Sequence, residues 1–253
     1  MMKLCAQLYS VREAAQTPEG IRDTFHKIKA IGYEAVQVSG LGKIEAEELR
    51  DISEETGLPI TCTHSPFDRI LHDADALIAE HKTYHCPVIG LGSMPNEYRG
   101  SAEALNRLFS DLEKPVKTIL DAGLHFAYHN HNFEFAALPE GGNAFDRMLE
   151  ACPDWHFILD TYWVEYAGCS AVDYIRRVGG NRLPNIHYKD MARDEKRSIC
   201  ACGDGVLDFS AITAVCREIG VQNALVEQDN AASFPDMFGQ MERSYRALRP
   251  ILK

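Results

Sequence analysis

The chain has 253 residues, 45% of them hydrophobic, and a net charge of −11 from 26 basic and 37 acidic side chains. About 250 residues is a usual length for one eight-stranded α/β barrel. The acidic balance argues against a nucleic-acid groove or an anionic membrane surface, which need clustered Lys and Arg, and no run is apolar enough for long enough to span a bilayer.

Short apolar runs alternate with longer segments of helical period, the pattern of a parallel α/β protein. Leu4–Val11 reads as the first strand. Ile21, Phe25, Ile28 and Ile31 then share one helix face, with Thr17-Pro18 at its start and Gly32 at its end. The second strand is Ala35–Ser39, and its helix covers Ala46–Thr56 and stops at Gly57. Pro59–Ser65 is the third strand, followed by a helix over Asp73–Tyr84. Val88–Gly92 is the fourth, followed by a long helix with Leu105, Leu108, Leu112, Val116 and Ile119 on one side. Pro115 is expected to kink that helix or to mark a first turn after a break.

The fifth strand is His125–His131, continuing into Asn132–Phe135, with a short helix Phe145–Glu150 behind it. The sixth is Phe157–Asp160, followed by a helix over Ala171–Val178. The seventh is Asn185–Lys189, followed by a helix carrying Ile212, Val215 and Ile219. Ala224–Glu227 is the eighth, and Phe234–Leu248 the last helix. Each strand–helix unit is about thirty residues, as βαβ units usually are. We therefore expect a single-domain (β/α)₈ TIM barrel over residues 1–253, although an open doubly wound sheet shows a similar alternation.

No Cys-x-x-Cys pair occurs among the eight cysteines, which excludes zinc-ribbon and thioredoxin readings. Unpaired thiols in a reducing compartment are the expectation, Cys200-x-Cys202 included. At the start of the chain, Gln7, Ser10, Arg12 and Glu13 interrupt any signal-like apolar region, so a cytoplasmic location is expected.

The informative polar residues gather at the C-terminal ends of the strands. Glu134 follows strand five, Asp160 ends strand six, His187 lies in strand seven and Glu227 ends strand eight. In a barrel those ends open on one face. Three carboxylates that close repel one another unless something positive holds them ionised, and a divalent cation does so. One acid at a strand end is more often a helix cap or an ion-pair partner; four such residues on consecutive strands are hard to explain that way. The donor set suits Mn²⁺, Mg²⁺, Co²⁺ or Zn²⁺ without choosing among them, although carboxylates lean toward the harder ions, and Mn²⁺ is the first expectation. Gln7, Tyr9, His64, His129, His131, Trp163 and Lys189 share that face and are candidate substrate contacts, each with barrel packing or strand-end hydrogen bonding as the plainer explanation. His129 and His131 alternate onto one side of strand five, so a bulge or turn must change phase if Glu134 is to point inward as well.

The segments Gln7–Arg12, Tyr128–Phe135, Leu159–Thr161, Ile186–Asp190 and Gly203–Phe209 resemble the sugar phosphate isomerase/epimerase family of xylose-isomerase-like barrels, in this order over essentially the whole chain. The resemblance implies a metal held by Glu134, Asp160, His187 and Glu227, with Glu134 and Glu227 also acting as the acid/base pair. It implies substrate binding by Arg193, six residues after the metal histidine. Ketose epimerases place a histidine three residues after the metal aspartate, where this chain has Trp163.

The expected function is a metal-dependent sugar, or sugar phosphate, isomerase or epimerase that works through an enediolate. A lyase or dehydratase acting on keto-sugars, keto-inositols or keto-glycosides is the alternative, and a non-catalytic sugar-binding subunit the third reading. The expected partner is a small carbohydrate, with neither nucleic acid nor membrane. Related barrels often pair through their helical outer surface, which makes a homodimer one candidate assembly and leaves the oligomeric state open.

Overall fold

A computed structural model describes residues 2–252, so residues 1 and 253 of the expected domain lie outside the described residues. Eight parallel strands make one sheet: β1 (Lys3–Gln7), β2 (Val36–Val38), β3 (Ile60–Thr63), β4 (Val88–Leu91), β5 (His125–His129), β6 (His156–Asp160), β7 (Asn185–Tyr188) and β10 (Asn223–Val226). A small antiparallel hairpin, β8 (Asp190–Met191) and β9 (Ile199–Cys200), lies between β7 and β10 in the chain. The sheet order is β3-β2-β1-β10-β7-β6-β5-β4. Its two ends meet where Ser65 bridges to Leu91 and the Ser65 N–H donates to the Gly90 carbonyl at 2.8 Å. The expected barrel is therefore what forms, nearly closed and ringed by helices.

The helices are α1 (Pro18–Ile31), α2 (Ala46–Thr56), α3 (Phe67–His72), α4 (Ala74–Thr83), α5 (Ala102–Asp121), α6 (Ala144–Ala151), α7 (Thr161–Tyr166), α8 (Ala171–Val178), α9 (Phe209–Ile219) and α10 (Met237–Leu252). Local signals set their ends. The Thr17 hydroxyl accepts the Gly20 N–H at 3.1 Å, Pro18 occupies the first turn, and Gly32 stops α1 at φ +117°, where a side chain would also meet Tyr245. Among the described residues no helix is long and apolar enough to cross a membrane.

Several details differ from expectation. β1 stops at Gln7, not Val11, because the Gln7 side-chain oxygen accepts the Tyr9 N–H at 3.2 Å and turns the chain into a 3₁₀ segment, Leu8–Ala14. The helix expected over Asp73–Tyr84 forms as α4, but a further short helix, α3, precedes it and ends at Asp73. α5 runs through Pro115 as one helix. An interior proline costs about 3 kcal/mol, whereas each buried leucine-sized side chain returns about 1.5–3 kcal/mol, and Leu105, Leu108, Leu112, Val116 and Ile119 are all buried on that face. α7 and the β8–β9 hairpin have no counterpart in the expected elements.

Strand alternation places the site. Inward-facing Cys5, Ala35, Cys62, Val88, Ala127, Ile158 and Leu225 form a small buried apolar cluster inside the barrel. Two residues further along the same strands come Gln7, Gln37, His64, Gly90, His129, Asp160 and Glu227; on β7, His187 follows Asn185 in the same way. An apolar plug therefore floors a polar layer at the C-terminal end. β4 contributes no side chain there, because a Cβ on Gly90 would collide with the Thr63 carbonyl. All eight cysteines are free thiols.

Candidate metal centre

Three of the expected ligands converge, joined by a histidine expected to face substrate. His129, Asp160, His187 and Glu227 each offer one ligand atom, and these atoms lie within 4.8 Å of one another. All four residues are buried. Two neighbouring groups fix which imidazole nitrogen faces inward. Nε2 of His187 lies 2.7 Å from the Gln37 side-chain oxygen, so it carries the proton and leaves the Nδ1 lone pair toward Glu227 at 2.9 Å and Asp160 at 3.7 Å. Nδ1 of His129 lies 2.9 Å from the Gly92 carbonyl, so it donates and leaves the Nε2 lone pair 3.5 Å from Asp160 Oδ2. Metal-binding histidines are held in this way, by a second hydrogen bond that sets the tautomer.

Lone pairs that face lone pairs inside a protein require something positive between them. Among the described residues, Asp160 Oδ2, His129 Nε2 and His187 Nδ1 are buried without a hydrogen-bond partner. An orphaned buried acceptor is costly, and a cation satisfies all of them together. The donor set, two carboxylates and two imidazoles, fits a divalent transition ion. The other oxygen of Asp160 is held in place by the Trp163 N–H at 3.1 Å, while its own N–H donates to the Asn130 side chain at 3.0 Å.

Lys189 supplies one positive charge to this cluster. Its ammonium is buried, 2.7 Å from Asp229, 3.3 Å from Glu227 and 3.6 Å from Asp160. Burial opposes ionisation of Asp160 and Glu227, yet Lys189 and the nearby histidines hold both below the ordinary carboxylate range. Burial likewise opposes a charge on His187, but Glu227 and Asp160 push it up to about 9. A proton at that position competes with a metal ion for the same lone pair.

Glu134 is placed differently. β5 ends at His129 and a 3₁₀ turn, Phe133–Phe135, follows, which supplies the expected change of phase. The turn buries Glu134, whose carboxylate accepts the Tyr128 hydroxyl at 2.5 Å and the His131 N–H at 2.8 Å. It is not one of the four converging groups. Burial raises its pKa to about 7, against the hydrogen bonds from Tyr128 and His131.

The remaining candidates are distributed around this centre. His64 packs on His129 and His187, with ring centroids 4.9 and 5.6 Å away, and burial lowers its pKa. His131 lies against Phe133 and Trp163, and burial pulls it down to about 3. Trp163 stands 5.2 Å from the Lys189 ammonium, with its indole N–H buried and unpartnered. Gln7 is buried beneath the mouth, and Tyr9 stacks under the Arg12 guanidinium at 3.9 Å. Arg193 is exposed in the connection between β8 and β9. Gln37 and Asp229 were not among the expected site residues. Gln37 was legible as the inward position two after Ala35, and Asp229 as the next acid beyond Glu227.

A nearly closed parallel barrel with buried acids and histidines at the C-terminal mouth defines a class of (β/α)₈ proteins whose mouth could hold a metal ion. The chain belongs to the xylose isomerase-like TIM barrel family, whose model matches residues 25–249. A sugar phosphate isomerase/epimerase from Parabacteroides distasonis has a similar structure, with a TM-score of 0.83 at 20% identity over 99% of this chain and 100% of that one. D-allulose 3-epimerase from Methylomonas sp. follows at 0.75 and 15%, covering 99% of this chain and 98% of its own. The IOLI protein, which holds a zinc atom, gives 0.77 and 12% over 99% and 98%. At such identities the likeness shows the shared fold. No curated protein matches the sequence.

Proposed function

We propose that the chain is a divalent-metal-dependent carbohydrate isomerase or epimerase. The observation that carries this reading is the convergence of ligand atoms from His129, Asp160, His187 and Glu227, in which the two imidazoles have their tautomers fixed and His129 Nε2, His187 Nδ1 and Asp160 Oδ2 lack a hydrogen-bond partner. Asp160, His187 and Glu227 hold the ion, and β5 supplies the fourth ligand, either through His129 as its ring stands or through the expected Glu134. Loss of metal affinity in His129→Ala or in Glu134→Gln identifies which. Manganese is the first ion to test, with zinc beside it because the IOLI protein carries zinc. When bound, such an ion supplies Lewis acidity toward a substrate oxygen.

The protein's own groups move the proton. Glu227, kept ionised beside Lys189 and His187, is suited to accept a carbon-bound proton. Glu134, poised at about 7, is suited to hold one or return it. Two carboxyls driven apart in this way fit an acid/base division of roles. Return to the opposite face of the same carbon gives an epimer; return to the neighbouring carbon gives an isomer. Gln7, Tyr9, His64, His131, Trp163 and Lys189 bind substrate in this reading, and Arg193 is its outermost contact. The neighbours named as epimerases of D-allulose, L-ribulose and D-psicose support a ketose-sized substrate.

Lys189 favours a second reading. Its ammonium beside Glu227 could protonate a departing hydroxyl, which makes the enzyme a lyase or dehydratase. Incubating metal-loaded protein with sugars and keto-sugars in D₂O separates the two. Deuterium in a product of unchanged composition supports isomerisation or epimerisation, loss of water or an aglycone supports the lyase, and no exchange with any substrate contradicts both.

A further inference from the structure

Asp229 makes the mouth of the site electrically balanced. Lys189 is the buried ammonium of the centre, and three carboxylates surround it: Asp229 at 2.7 Å, Glu227 at 3.3 Å and Asp160 at 3.6 Å. With the divalent ion proposed above and His129 as its fourth ligand, three negative charges meet three positive ones. Asp229 is the member of this set outside the metal cluster, and its second oxygen, Oδ1, is buried without a partner. Two neighbouring guanidinium groups, those of Arg12 and Arg99, are committed elsewhere. Arg12 donates to the Tyr9 and Asp229 carbonyls and lies over the Tyr9 ring. Arg99 donates to the Met94 carbonyl and the Ser93 hydroxyl and lies over the Phe133 ring.

Resting on the proposed metal-dependent reading, we infer that Asp229 and Lys189 form a donor–acceptor pair that selects an uncharged polyhydroxylated substrate and excludes a phosphorylated one. The ammonium offers a donor and Oδ1 an acceptor, the two functions that neighbouring sugar oxygens need. The indole N–H of Trp163 and Nδ1 of His131, both buried and unpartnered, extend the same kind of recognition. A phosphate dianion would instead add two negative charges to a balanced site, against Glu227 and Asp229, with the Arg12 and Arg99 guanidiniums engaged elsewhere. Asp229 is thus a specificity-determining residue: it cancels the one charge that would otherwise attract phosphate.

The test is phosphate binding by the full chain loaded with Mn²⁺, measured calorimetrically with inorganic phosphate as probe and with retained manganese quantified in each sample. The wild type should show no saturable binding up to about 10 mM, whereas Asp229→Asn should gain affinity by at least about tenfold, the scale of one new charge-assisted hydrogen bond. Adding Lys189→Met to Asp229→Asn should remove the gain. Asp229→Ala provides a second variant, with thermal unfolding to confirm its fold. Saturable phosphate binding by manganese-loaded wild type overturns the inference, as does the absence of any gain in both folded Asp229 variants. A wild type that retains no manganese instead contradicts the metal-dependent reading, so the two failures are distinguishable.

Discussion

The two ends of this barrel carry similar side chains in opposite circumstances. At the C-terminal end, His129, Asp160, His187 and Glu227 are buried and converge with lone pairs facing inward. At the N-terminal end, His125 and His156 lie face to face with centroids 4.2 Å apart, His125 exposed and His156 half-buried. Beside them the Asn223 amide donates to the Asn185 side chain at 2.9 Å. Residue type alone therefore does not make a site. Depth and convergence do: the upper layer gathers buried, unpartnered acceptors at one point, whereas the histidines of the lower one are open or half-open to solvent.

The largest expected effects break the upper layer. Glu227→Gln should abolish turnover, and Glu134→Gln should lower it by about 10²–10⁴-fold, the usual contribution of a positioned acid or base, measured as substrate consumption by metal-loaded protein. Turnover that survives both substitutions contradicts the acid/base pair. Gln37→Leu should weaken manganese binding by about 10–100-fold, because His187 loses the bond that fixes its tautomer. Gln37→Glu, which keeps an acceptor, should restore most of that loss in a chelator competition assay.

A third histidine sharpens the contrast. His81 is buried behind β3, with Nε2 2.9 Å from the Thr63 hydroxyl and Nδ1 2.7 Å from the Leu77 carbonyl. Burial lowers its pKa from 6.5 to about 4, against the bond to Leu77. The unfolded chain therefore binds a proton that the folded chain refuses as pH falls. His81's contribution to stability is complete above about 6.5 and declines to about 4, by up to about 3 kcal/mol. Urea unfolding across that range should show the slope, and His81→Gln should flatten it. The smallest effect belongs to the N-terminal face. Asn223→Ala should cost about 1 kcal/mol by the same measurement and leave manganese affinity unchanged.

How far the sequence reveals this layout depends on the kind of signal. Strand–helix alternation gives the barrel, and capping residues such as Thr17 and Gly32 give helix ends, because both are local. Asp160, His187 and Glu227 were legible because regular strands carry their inward phase up to the mouth. Glu134 lies beyond the last regular residue of β5, where a 3₁₀ turn resets the phase, and alternation cannot follow it there. His129 was visible, but its role depends on the Gly92 carbonyl 37 residues away. The bond between Gln37 and His187 spans 150 residues and crosses the barrel interior. Such contacts exist only after closure. The early end of β1 and the helix α7 are also local, yet both turn on side-chain bonds to backbone N–H groups, from Gln7 and Asp160, that hydrophobic periodicity does not report.

The most direct test of the account is the manganese stoichiometry of the purified full chain, measured by equilibrium binding with elemental analysis beside the Asp160→Asn variant. The account expects one ion per wild-type chain, and an affinity in the variant reduced by more than the roughly 100-fold typical of losing an outer partner. A wild type that binds no divalent ion, or a variant that binds it as tightly as the wild type, would contradict it.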